Sequence, residues 1–127
     1  MLDDSRREDF GARYTRVTIS NPTAAELAST VEALVDTGAT FTVVPRALAQ
    51  ELGLPLTGQR RVRTATGEVV LDRARAFVQI NGQGEINPVL ISDSVDRVLI
   101  GVITLETLSL TVDPTTGELS QAETLLF

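Results

Sequence analysis

Aspartate, threonine and glycine stand together at Asp36-Thr37-Gly38, between the apolar run Ala33-Leu34-Val35 and a second run from Phe41 to Val44. An unpaired carboxylate in an apolar setting costs on the order of a few kcal/mol or takes up a proton. Asp36 therefore needs either a structural or a chemical reason to be there. The rest of the composition narrows the chemistry. The chain has no His and no Cys, and its 11 basic residues are all Arg. Ser-His-Asp and Cys-His catalysis, Ser-Lys dyads, Schiff-base chemistry and the usual zinc sites are thereby excluded. Proton transfer falls to carboxylates, since Tyr14 is the only phenol and a guanidinium is too strongly protonated to act as a base.

All three residues of Asp36-Thr37-Gly38 favour turns, so the tripeptide alone is a weak signal, and capping of its own loop is a standing alternative for Asp36. The surroundings strengthen the chemical reading. A strand "ALV" leads into "DTGA", followed by a Thr-rich apolar strand, Pro45 and a helix. The loop's N–H groups can hold the carboxylate, Thr37 supplies a hydroxyl, and Gly38 lets the backbone approach without a Cβ. A carboxylate Mg²⁺ site is disfavoured, because the acids do not cluster around Asp36 in sequence. Asp113 is a second acid in a similar setting, but Pro114 follows it directly and "VDPTTG" reads as a hairpin turn.

The elements that must position this loop are mostly short strands. "YTRVTIS" has the period-2 alternation of a half-buried strand, "NPTAAE" reads as a turn, and "STVEALV" as the strand delivering Asp36. "FTVV" ends at Pro45, which suits the first turn of a short helix over "PRALAQELG"; Leu48 and Leu52 share its face and Gly53 marks its stop. Two strands flank the turn "TATGE", with Gly67 where positive φ is admitted. Further strands follow around an Asn81-Gly82 turn, then the apolar strand "VDRVLIG", a second helix at "VITLETL", and a last hairpin turning at Pro114 and Gly117. A faint internal echo relates "ALVDTGATFTVVPRALAQELGL" to "RVLIGVITLETLSL".

The 127 residues amount to one domain. Residues 1–13 are polar and aperiodic and read as a flexible N-terminal arm, with the domain over 14–127. A hydrophobic fraction of 43 % with 4 % aromatics describes a globular core of Val, Leu, Ile and Ala. A net charge of −6 argues against nucleic acid as a partner. The basic clusters "RRVR" (60–63) and "RAR" (73–75) read as solvated strand faces. No stretch reaches the length of a membrane span, and no signal-peptide pattern opens the chain, so a cytoplasmic protein without a membrane partner is expected. The apolar end "TLLF" (124–127) is expected to be covered, by its own domain or by another chain.

"LVDTGATFTVVP", the hairpin turn "TATGE" and "VLIGVITLETL" together resemble the retropepsin-like aspartic proteases, the single-domain relatives of retroviral protease, over roughly residues 14–120. The resemblance implies a mainly β fold, a closed or partly open β-barrel of the retropepsin-like type with one or two short helices. It implies that Asp36 is the catalytic acid, that Thr37 ties two active-site loops together, and that Gly38 contributes backbone donors. Ala39 and the hairpin residues Thr64, Ala65, Thr66 and Gly67 would be the substrate-binding and flap positions. No cofactor and no metal are implied, and the partners are a polypeptide substrate and a second copy of the chain. The physics agrees: peptide hydrolysis by carboxylates needs an acid and a base, which two adjacent carboxyls sharing one proton supply. With one such Asp per chain, a two-fold axis past Asp36 would complete the pair. One departure stands out: Val102 and Ile103 follow Gly101 where retroviral enzymes usually carry Arg and an acid at their dimer interface. The same dimeric fold kept as a weakly active or inactive binding or assembly module is the alternative.

Overall fold

The computed structural model describes residues 13–122. The expected arm and the apolar end at 124–127 thus fall outside the described residues, apart from Arg13, which already opens the first strand. Nine strands and two short helices follow in order: β1 (Arg13–Asn21), β2 (Ala24–Val35), β3 (Thr42–Pro45), α1 (Arg46–Glu51), β4 (Leu56–Thr64), β5 (Gly67–Ile80), β6 (Gln83–Ser92), β7 (Leu99–Ile100), α2 (Val102–Thr107), β8 (Leu110–Val112) and β9 (Leu119–Gln121). Seven strands form one sheet ordered β1-β2-β7-β3-β6-β5-β4, and an additional β1–β5 pairing curls it into a ring. β4 hangs outside that ring, bonded only to β5, and β8–β9 make a separate two-stranded sheet. The expected mainly β architecture with two short helices is what is observed.

Alternation along β5 shows how sequence makes the ring: Ala74, Ala76, Val78 and Ile80 are buried, while Arg75 and Gln79 face out. Val17 and Ile19 from β1, Val44 from β3, Val89 and Ile91 from β6, and Ile100 from β7 complete the same core. Each fully buried Val or Ile contributes about 1.5–3 kcal/mol relative to exposure, so register is strongly held. Asn81 (φ 52°) and Gly82 (φ 82°) form the tight β5–β6 turn, as an Asn-Gly pair between alternating strands should.

Some boundaries differ from expectation. The turn expected over "NPTAAE" contracts to Pro22 and Thr23, and β2 begins at Ala24. Asn21 makes this possible: its Oδ1 accepts the Thr23 N–H (2.9 Å), while its Nδ2 donates to the Leu52 and Gly53 carbonyls (3.0 and 2.8 Å). One buried amide thus closes the hairpin and caps the end of α1. The strand expected over "VDRVLIG" shortens to Leu99–Ile100. On α1 the buried face is Ala49 followed by Leu52, with Leu48 only half-buried, and Gly53 (φ 60°) ends the helix. Arg46 at its start binds Asp72 of β5 (3.0 Å) and Asp93 (2.6 Å), tying α1 to the sheet. Among the described residues no helix is long and apolar enough to cross a membrane.

Candidate active site

β2 ends at Val35, and Asp36 opens the loop that leads to β3. β7 fixes the start of that loop, because it runs parallel to β2 with Leu34 beside Leu99 and the Asp36 N–H donates to the Ile100 carbonyl (2.9 Å). The loop then tightens on itself. The Gly38 N–H donates to Asp36 Oδ1 (3.0 Å), and the Ala39 N–H donates to the Asp36 carbonyl (3.0 Å). Gly38 is suited to this: a Cβ there would stand 3.3 Å from the same Oδ1, crowding it. Asp36 is half-buried rather than sealed in the core. One of its carboxylate oxygens is held by the backbone, and the residue keeps part of its surface open, so the sealed apolar setting suggested by the flanking runs is not realised within the single chain. Thr37 and Gly38 are exposed beside it, and Ala39 is half-buried.

The far side of the loop is locked by two threonines that the sequence reading did not single out, together with the backbone from Gly101 to Ile103. Thr42 and Thr104, both fully buried, share a hydroxyl hydrogen bond of 2.6 Å, and Thr42 Oγ1 also accepts the Gly101 N–H (3.0 Å). Gly101 lies so close to the loop that an added Cβ would meet the Phe41 carbonyl carbon at 2.5 Å. Beyond it the first N–H groups of α2 point at the loop: Val102 N–H donates to the Ala39 carbonyl (2.8 Å) and Ile103 N–H to that of Thr40 (3.0 Å). The available signal was a lone Thr in each of two apolar segments, "FTVV" and "VITL". Each hydroxyl answers the other across the core.

A cleft of about 450 Å³ opens next to this loop, floored by Gly38, Ala39, Thr40 and Phe41 and walled by Arg60, Arg61, Val62 and Arg63 of β4. The hairpin tip lies further along the same arm. Thr64, Ala65, Thr66 and Gly67 are all exposed. Thr64 pairs with Gly67, its Oγ1 donating to the Gly67 carbonyl (2.8 Å) and accepting the Thr66 N–H (3.3 Å), and Gly67 takes φ 132°. The body of β4, rather than its tip, lines the cleft in the single chain. Asp113 belongs to its hairpin turn, where Oδ1 accepts the N–H groups of Thr115 and Thr116 (2.7 and 3.2 Å).

Residues 15–104 match the sequence family described as aspartyl protease. No curated protein matches the chain. Among solved structures, EIAV protease complexed with the inhibitor HBY-793 is similar in fold, with a TM-score of 0.63 at 18 % identity, over 90 % of this chain and 92 % of that one.

Proposed function

Because this chain belongs to the aspartyl protease family, we propose that it is an aspartic endopeptidase that works as a homodimer with one Asp36 from each subunit in a shared site. The observation that supports this most is the Asp36 loop itself. A half-exposed carboxylate is held by the Gly38 N–H and braced by β7 and α2, on a loop whose residues Gly38 to Phe41 go on to floor a cleft. Half a site is present per chain, and a two-fold axis supplies the rest.

In this reading the two Asp36 carboxyls hold one proton and one water between them. The ionised carboxylate takes a proton from the water as its oxygen attacks the scissile carbonyl carbon, while the protonated one gives its proton to the carbonyl oxygen. Collapse of the tetrahedral intermediate returns a proton to the amide nitrogen and breaks the C–N bond, releasing a carboxylic acid and an amine. Asp36 needs no covalent bond to substrate. Thr37, exposed beside it, faces the partner loop and ties the two together; Gly38 and Ala39 present backbone to the substrate; and the hairpin tip at Thr64 to Gly67 covers it from above. The absence of Arg after Gly101 does not dismantle the loop, since main-chain donors at Val102 and Ile103 already hold Ala39 and Thr40.

Subunit mixing tests the reading. Wild type and Asp36→Asn are unfolded together, refolded at equal amounts, and assayed on a peptide library with heterodimer confirmed by mass. Random pairing places about half of the wild-type chains in one-carboxylate dimers, so activity per wild-type chain falls to about half, and further with excess mutant. Unchanged activity per wild-type chain, or cleavage by a strict monomer, refutes the shared site. A dimer that cleaves nothing would indicate the binding or assembly module instead.

A further inference from the structure

The wall of the cleft carries charge of one sign. Arg60, Arg61 and Arg63 line it together with Val62, and none of the lining residues is acidic, on a chain whose net charge is −6. Side chains alternate along a strand, so these arginines fall into two sets. Arg61 and Arg63 share the face of Glu68 and both pair with it, at 3.5 and 3.3 Å. Their charge is answered within the hairpin. Arg60 takes the opposite face, and its guanidinium lies 4.7 Å from the centroid of the Phe41 ring in the cleft floor. No described carboxylate pairs with Arg60. A guanidinium resting on an aromatic face is held by that contact but keeps its in-plane N–H groups free for an acceptor, and their fork matches the two oxygens of a carboxylate. Phe41 lies on the same loop as Asp36, and Gly38 to Phe41 of that loop floor the cleft that Arg60 walls.

We propose that Arg60, seated on Phe41, is a specificity-determining residue that selects substrates carrying an Asp or Glu side chain near the scissile bond. The inference rests on the peptidase reading above and names its substrate class. The overall negative charge makes this a matter of selection and not of steering: an acidic peptide is repelled by the molecule at large and accepted at one place. A polyanion such as nucleic acid would meet that repulsion along its whole length.

The test uses the full-length protein and peptides identical except for Glu, Gln or Lys at each position flanking the cleavage site. At one position kcat/KM for the Glu peptide should exceed that for Gln by about tenfold, between the few-fold effect of an exposed ion pair and that of a desolvated charged hydrogen bond. Arg60→Gln should bring the ratio to about one, and Arg60→Glu should turn it in favour of the Lys peptide. A purely structural role for Arg60 would change the rates and leave these ratios alone. Equal cleavage of Glu and Gln peptides at every position overturns the proposal and leaves the peptidase reading intact. If no peptide is cleaved, the peptidase reading falls, and fluorescence anisotropy with the same labelled peptides decides the other question. Tighter binding of Glu than Gln peptides, lost in Arg60→Gln and weakened by salt, upholds the acidic selectivity; equal or absent binding overturns it.

Discussion

Replacing Gly101 by Ala should damage both stability and turnover by one identifiable contact. Gly101 has φ −97° and ψ 177°, an extended conformation open to any residue, so the substitution carries no backbone strain. The added Cβ would stand 2.5 Å from the Phe41 carbonyl carbon, 2.6 Å from its oxygen and 2.9 Å from the Ala39 oxygen, where ordinary contact begins at 3.4 Å. All three are main-chain atoms, and no rotamer change can move them. The loop must withdraw by about 0.9 Å, stretching the bonds from Val102 and Ile103 that hold Ala39 and Thr40. Overpacking of this kind costs about 1–3 kcal/mol, and weakening the two bonds adds about 1 kcal/mol. A displacement of about 1 Å beside the reacting groups lowers kcat/KM by about a hundredfold. Gly84→Ala is the comparison: its Cβ would also meet an atom at 2.5 Å, but that atom is the tip of the Phe77 ring, which can swing aside, so its cost stays under about 1 kcal/mol. Urea unfolding at fixed protein concentration and steady-state kinetics read both quantities. Gly101→Ala within about 0.5 kcal/mol and twofold of wild type would show that this contact does not set the loop.

Asp72 is held below the ordinary carboxylate range by its hydrogen bond from Gln59 and then by Arg46. Its stabilising contribution is therefore complete above its unfolded pKa near 3.8 and lost as pH falls through the lower folded value. Asp72→Asn should accordingly lower the melting temperature by a constant amount from neutrality down to about pH 5, with the gap closing only in strong acid; a gap that closes already near neutrality refutes this. Thr64→Val removes the hydroxyl that organises the hairpin tip while keeping a good strand former, so turnover should fall severalfold with less than about 1 kcal/mol of stability lost. Unaltered turnover would remove the tip from the substrate cover.

What was legible in the sequence was whatever short-range chemistry dictates. The Asn81-Gly82 turn, the Gly53 stop after α1, the positive φ at Gly67, the turn at Gly117 and the loop beginning at Asp36 each follow from a few neighbouring residues. The boundaries that shifted were set from a distance. Ala24 and Ala25 have little strand preference of their own, and they join β2 because the buried Asn21 amide closes the turn before them. Leu56 joins β4 by pairing with Ala74. The Thr42–Thr104 pair joins residues 62 positions apart, so each lone hydroxyl is visible in its apolar segment but its partner is not. The cleft wall is hidden for the same reason: the local pattern around Arg60 is that of a solvated face, and only the fold lays it on Phe41.

The route by which the ring closes governs when the site can first exist. The hairpins β1–β2, β4–β5 and β5–β6 join neighbours in the chain and can form as soon as they emerge. The Asp36 loop cannot, because the groups that hold it come from Ile100, Gly101 and Thr104, and the sheet is closed on itself only when β1 finds β5. Pairings this distant make folding slow, because loop-closure entropy must be overcome before the contacts can stabilise anything. A ribosome-bound chain that has not yet exposed α2 therefore holds its hairpins but not the braced Asp36 loop, and the newborn protein passes through synthesis with that loop unassembled.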